Sequence, residues 1–291
     1  MLVLIGLVVV VVAVFGSYVA GDGHVWVLWQ PMEILLIAGA AVGSFVVGNN
    51  RSSLRLLRKN LPGIFRRTPY NKTLYMDLMA CMYSLLTVAK KEGVRAIEKH
   101  IEDTASSSIF TQYPEILSDK ILIDFLVDYL RLMVSGYMSP YEIETLMDEE
   151  LETVRYETQV PVHALRTTAD SLPAFGIVAA VMGVIKALAA VDQPPAVLAD
   201  LISKAMVGTF AGILLAYGVG FPFAEAMDRR GSESVKTLEC IKVTLLAYLN
   251  GYPPQIAVEF GRKVLFDVVR PSFLELEEHV RGTRAKDRGK A

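Results

Sequence analysis

The chain has 291 residues, 53% of them hydrophobic, a formal net charge of −2 and a mean hydropathy of +0.39. An average this apolar excludes an ordinary soluble domain and points to a membrane protein, and the near-neutral charge leaves no electrostatic footprint for nucleic acid. His24, His100, His163 and His279 show no metal-ligand spacing, so neither a metal site nor a cofactor is expected.

Residues 1–20 contain no charged side chain, and at ~1.5 Å per residue they cover a hydrocarbon core of ~30 Å. They read as a first transmembrane helix rather than a cleaved signal peptide. No basic stretch opens them, and Ser17-Tyr18-Val19-Ala20 is a poor cleavage site. Residues 31–47 form a second span. Pro31 suits its first turn, Glu33 lies near the positive end of its dipole, and Trp26 and Trp29 precede it as interfacial aromatics.

Residues 51–169 read as a helical cytoplasmic domain. The stretch 73–89 is apolar but short and carries Asp77, which favours a packed helix over a span. Along 121–134, Lys120, Asp124, Asp128 and Arg131 recur at three- and four-residue spacing and make the polar stripe of an amphipathic helix. Ser139 is a natural N-cap for a helix opened by Pro140 and rich in early acids such as Glu142 and Glu144.

Residues 172–191 and 201–223 are the third and fourth spans. Residues 226–291 continue as cytoplasmic helices, broken at Asn250-Gly251-Tyr252-Pro253-Pro254, and the charged stretch 281–290 reads as disordered. No alternating β pattern occurs. The expected fold is an all-α integral membrane protein, with four transmembrane helices and a helical cytoplasmic domain.

Charge sets the orientation. Of the 29 Lys and Arg, 15 lie between Arg51 and Arg166 and 12 between Arg229 and Lys290, so both large soluble segments belong on the cytoplasmic side. Cys81 and Cys240 then sit where thiols stay reduced, and no disulfide is expected.

An ion stripped of water needs replacement ligands, yet no carboxylate lies deep in any span. Lys186 and Lys204 lie near span ends, where long side chains snorkel to water. Asp170, just before the third span, either caps that helix or meets an ion leaving the membrane. Small residues repeat every fourth position: Gly208, Gly212, Ala216 and Gly220; Gly39 and Gly43; Gly176 and Ala180; Ala179 and Gly183. Such stripes serve close helix packing, within one chain or between subunits. Thr209, one position off the first stripe, either back-bonds its own helix or offers an oxygen to an ion.

Pro173 and Pro222 stand at matching ends of the third and fourth spans. A proline removes a backbone hydrogen bond and kinks a helix. Pro173 reads as either a first-turn proline or a kink, and Pro222 as a hinge between membrane and soluble domain.

Beyond periodicity, Leu172-Pro173-Ala174-Phe175-Gly176 and its continuation to Gly183 resemble a pore-helix motif of the MotA family of flagellar motor stator subunits, within the MotA/TolQ/ExbB superfamily. So do Met206-Val207-Gly208-Thr209-Phe210, Gln30-Pro31-Met32-Glu33, Gly43-Ser44-Phe45-Val46-Val47-Gly48-Asn49-Asn50, Tyr75-Met76-Asp77-Leu78 and Ala257-Val258-Glu259-Phe260-Gly261-Arg262-Lys263. The resemblance runs from the first residue to about Arg281.

It implies a motor component of the inner membrane without enzymatic chemistry of its own: a ring of five subunits around a pair of MotB helices. MotB supplies the protonatable aspartate, and the cytoplasmic domain pushes on the rotor protein FliG. By position it makes Pro173 and Pro222 the family's conformational prolines and Thr209 its pore-facing threonine. It makes Ala180 the mark of proton-driven members and Glu98 the acidic rotor contact. Lys90 replaces the family's usual arginine, keeping the charge but not the bidentate fork. Membrane lipid is the remaining partner. The ExbB and TolQ type of energising complex is the alternative; three spans and a different order of soluble segments are typical of it. A secondary transporter would need an ionisable or unwound midplane site, which the spans lack. A passive membrane scaffold is the remaining rival, separated from a stator by whether motility depends on the chain.

Overall fold

The computed structural model describes residues 2–288, with side chains to residue 281, and every regular element among them is helical. The first apolar segment starts as helix α1 (Leu2–Val11) and continues through a π turn, Val12–Gly16, into Ser17–Ala20. Helix α2 (Pro31–Gly48) opens on its proline with Glu33 in the first turn. The amphipathic helix α3 (Arg51–Asn60) follows, its N-terminus capped by the Asn50 side chain, which accepts from the Ser53 amide. Asn71 caps α4 (Lys72–Glu92) in the same way. Helix α5 (Glu98–Glu102) is short, and Asp119 caps α6 (Lys120–Ser135). Gly136 ends α6 at φ 68°, the left-handed backbone that only glycine adopts freely.

Helix α7 (Pro140–Ala189) is 50 residues long. Ser139 and Glu142 close a reciprocal capping box at its start: the Ser139 amide donates to the Glu142 carboxylate at 2.7 Å, and the Glu142 amide donates to Ser139 Oγ at 3.3 Å. Helix α8 (Pro195–Leu215) runs through a π turn, Ala216–Gly220, into α9 (Phe221–Leu249). After the turn at Gly251, α10 (Pro254–Val264) and α11 (Phe273–Arg288) complete the described residues. Four helices, Leu2–Ala20, Val25–Gly48, Pro140–Ala189 and Pro195–Leu249, are long and apolar enough to cross a membrane, which gives the fold class read from the sequence.

The chain divides into two compact units, 1–67 with 157–230, and 68–156 with 231–291. In the second unit α4 is the central element. Tyr75, Leu78, Met79, Cys81, Leu85 and Leu86 are all within 1% of full burial, and α6, α9, α10 and α11 supply the surrounding apolar side chains. This is the packed helix expected over 73–89. Burial pushes the Cys81 and Cys240 thiols well up, so both stay protonated and unreactive. Lys72 pairs with Glu275 at 2.7 Å, and His279 meets Asp77 at 2.9 Å, tying α11 to α4.

The first unit is built differently. A small core of Ile64, Val162, Ala224 and Met227 gathers at one place, while α1 buries none of its side chains and Val47, Leu188 and Met206 are exposed. Apolar surface on this scale suits hydrocarbon, not water. Arg230 donates to the Gly63 carbonyl at 2.6 Å, and Arg166 bridges Glu225 and Asp228 at 2.6 and 2.9 Å.

Two open readings narrow, and one expectation is corrected. Pro173 is no first-turn residue: it lies deep inside α7, as does Pro161, because the polar stretch before residue 172 runs into the apolar one without a break. For the same reason Asp170 caps nothing; it is an exposed mid-helix residue. The stretch 281–290 is helical as far as Arg288, helped by an i,i+4 pair between Glu277 and Arg281 at 2.6 Å; its last two positions lie outside the described residues.

Candidate functional site

The first unit brings most of the sequence-identified membrane residues to the contact between α7 and α8. This contact is made by absent side chains. A β-carbon added at Gly176 would come within 2.9 Å of the Gly208 carbonyl and 3.3 Å of the Thr209 and Gly212 α-carbons. One added at Gly212 would come within 2.6 Å of the Leu172 carbonyl, and one at Gly183 within 2.5 Å of the Ala205 β-carbon. The stripes on these helices therefore serve packing within the chain. A β-carbon built on Gly39 or Gly43 of α2 would have nothing within 4 Å, so that stripe is not packed among the described residues.

The prolines act on the same contact. Pro173 has no amide proton to give the Ala169 carbonyl four residues back, and Pro222 has none for Gly218. The chain widens to a π turn over Ala216–Gly220, immediately before Pro222, which relieves the clash of the proline ring with the preceding turn. A β-carbon on Gly220 would lie 2.6 Å from that of Ala169, so the two loosened turns touch.

Ala180 lies on this face too, its amide 3.5 Å from a β-carbon built on Gly208. Thr209 is half-buried and, unlike Thr167 and Thr168 of α7, makes no back-bond to its helix among the described residues. Its hydroxyl is therefore available to another group. Asp170 is exposed and has no ion-pair or hydrogen-bond partner among the described residues. The contact thus offers carbonyls released by proline and one hydroxyl, with no carboxylate. It can pass or shelter a protonated group but holds no proton carrier of its own.

Lys204 pairs with Asp200 at 2.7 Å one turn away, as befits a side chain at a span's end, and Lys186 stands exposed in the last turn of α7. In the other unit, Lys90 lies in the last turn of α4 and Glu98 begins α5. Both are exposed, and they do not form an ion pair with each other. Sequence reading missed Pro161 and the Arg166 cluster. A proline nine residues after the acidic run that ends at Glu152 looks like a helix end, and the spacing of Glu225 and Asp228 on one helix face was the available sign of the cluster.

The MotA/TolQ/ExbB proton channel family model matches residues 118–240, and the model of the motility protein A N-terminal region matches residues 4–93. The chain is 52% identical to motility protein A of Salmonella typhimurium over 98% of its own length and 96% of that protein's. It is 52% identical to the Escherichia coli protein over the same shares. Its fold superposes on the Bacillus subtilis flagellar MotAB stator with a TM-score of 0.72 at 26% identity, covering 88% of this chain and 92% of that one. On the C. jejuni MotAB structure the TM-score is 0.77, covering 93% and 98%.

Fold and sequence together define a multi-span subunit of the proton-channel class. Within that class the chain belongs to the motility protein A family, and its function is the flagellar stator's proton-channel role.

Proposed function

We propose that this chain assembles, as a ring of five in the bacterial inner membrane, around a MotB-like subunit and drives FliG by proton flow. The observation that carries the reading is the α7–α8 contact: two proline-loosened turns pressed together at Ala169 and Gly220, with no carboxylate in either span. A proton carrier has to come from a partner, and a MotB aspartate against this face supplies it.

Protonation removes a charge from a low-dielectric site, which alters what the Thr209 hydroxyl and the Ala169 and Gly218 carbonyls can bind. Pro173 and Pro222 let the two helices answer by shifting rather than by breaking hydrogen bonds, since those bonds are already absent. A unit charge falling through 100 mV releases ~2.3 kcal/mol, enough to bias two packings that differ by a small helix shift. Ala180, too small to place an oxygen in the path, favours protons over sodium. Asp170 stands where an ion would leave toward the cytoplasm, and the two large soluble segments, rich in Lys and Arg, face that side. Lys90 and Glu98 meet the rotor.

Complementation of a strain lacking its own stator A subunit tests the reading, scored by swimming and by torque on a tethered cell. Swimming restored by the chain together with a MotB-like partner, and by neither alone, is the expected result. Swimming that does not depend on the chain would end the proposal. Mass measurement of the purified complex counts the subunits independently.

A further inference from the structure

The second unit contains a cleft of about 720 Å³ that the stator reading does not use. It lies between the C-terminal half of α4 and residues 99–112, which include the end of α5. Its volume is that of a small-molecule site, and its wall carries Lys91, Lys99, His100 and several hydroxyls but no carboxylate.

The donors are arranged for one sign of charge. Lys91 and Lys99 have no ion-pair partner among the described residues. Ser107 Oγ accepts from the amides of Ile109 and Phe110, each at 3.3 Å, so its own proton points to His100 Nδ1, 3.0 Å away. Nδ1 then accepts, and the proton of the neutral ring sits on Nε2 as a donor. His100 is held toward this neutral form, first by burial and then by the Lys99 charge. Of the acids nearby, Glu92 acts on His100 from outside the wall, Glu98 and Glu102 share α5 with Lys99 and His100 without lining the cleft, and Asp103 is occupied by Ser106, whose hydroxyl donates to it at 2.7 Å. Thr87, also on the wall, has a buried hydroxyl with no partner among the described residues, the mark of a polar group completed from outside the chain.

We propose that this cleft binds a small phosphate-bearing molecule. Lys91 and Lys99 provide the charge, and His100 Nε2–H with the neighbouring hydroxyls provides the directed hydrogen bonds. Free phosphate and a phosphate monoester share this chemistry. Lys91 adjoins Lys90 and Lys99 adjoins Glu98 in sequence, so an occupant sits beside the charges assigned above to the rotor, where it can tune that contact.

The test uses the full-length chain purified with its MotB-like partner, with inorganic phosphate and AMP as separate probes in equilibrium dialysis. Saturable binding that weakens roughly tenfold or more in Lys91→Ala or Lys99→Ala, and not in Lys120→Ala on another exposed face, is expected. Tighter binding of inorganic phosphate assigns the site to the free ion, and tighter binding of AMP to a monoester. No saturable binding of either probe, or equal weakening by Lys120→Ala, overturns the proposal. Loss of motility in the Lys91 and Lys99 variants with probe binding intact overturns it as well, by making the cleft a protein contact. Because binding is read without motility, failure here leaves the stator reading standing.

Discussion

Gly220 lies against Ala169, close enough that a β-carbon on the glycine would come within 3.3 Å of the Ala169 α-carbon. Ala169 is the residue whose carbonyl Pro173 leaves without a donor, and Gly220 closes the π turn before Pro222. The two helices are loosened along their axes at a point where they are also closely packed across them. A movable contact needs both properties, because a loosened turn with room around it would simply collapse.

Gly220→Val therefore forces the turns apart. Overpacking of this kind costs about 1–3 kcal/mol, so the purified complex should melt lower and torque should fall steeply. Gly39→Ala, whose added β-carbon would meet nothing within 4 Å among the described residues, should leave the melting temperature and swimming speed near those of the parent chain. Equal losses in both variants would show that close packing at Gly220 is not special.

Pro222→Ala separates motion from stability. Alanine returns an amide donor to the Gly218 carbonyl and removes the reason for the π turn, so stability should hold or rise, by at most ~3 kcal/mol. Membrane insertion should be normal and torque largely lost, and Pro173→Ala should behave alike. Thermal unfolding of the complex, set beside rotation of tethered cells, reads the two effects apart. A variant that swims normally would remove the prolines from the mechanism.

The four helices and the packed helix of 73–89 were legible because each is a run of one character: uncharged over 1–20, apolar with an isolated acid over 73–89. The continuity of α7 was not legible. Its polar half and apolar half have different periodic patterns, and Pro161 and Pro173 both look like helix boundaries when helix partners are unseen. Nor does a small-residue stripe reveal what covers it: Gly39 and Gly43 look like Gly208 and Gly212 in sequence, yet among the described residues only the second pair is closely packed. The cleft beside Lys99 escaped for another reason, since its wall joins residues 83–91 with 99–112 and no local pattern links them.

Gly261 is a sharper test of the soluble core. A β-carbon there would meet Thr244 Oγ1 and stand 3.1 Å from the Cys240 sulfur, both on α9 and fully buried. Gly261→Val should cost upwards of about 1–3 kcal/mol and reduce the amount of folded protein. Gly251→Ala, at φ 89° but with open space around it, should cost less, through backbone strain of about 1 kcal/mol. Urea unfolding followed by tryptophan-independent circular dichroism ranks the two.

Lys90 and Glu98 are exposed, so replacing either should leave stability within about 0.5 kcal/mol of the parent. Lys90→Glu and Glu98→Lys should nevertheless impair swimming, each rescued by a matching charge reversal on FliG. Surface charges with only a solubilising role would show neither the loss nor the rescue.

The Lys72–Glu275 pair makes a prediction in pH. Glu275 is held down to about 2, from an ordinary value of 4.5, first by the Lys72 ammonium and then by the Ser272 amide and hydroxyl. Because its folded value is depressed, the carboxylate's contribution is complete above pH 4.5 and is lost as pH falls toward 2. Glu275 also closes the capping box of α11, its carboxylate accepting from the Ser272 amide at 2.7 Å. Glu275→Gln should therefore lower the melting temperature at pH 7 by a few degrees at most, the side chain being 47% exposed. The difference from the parent chain should shrink steadily between pH 4.5 and 2, measured by thermal melts at fixed ionic strength. A difference that stayed constant over that range would show that the side chain acts by packing and not by charge.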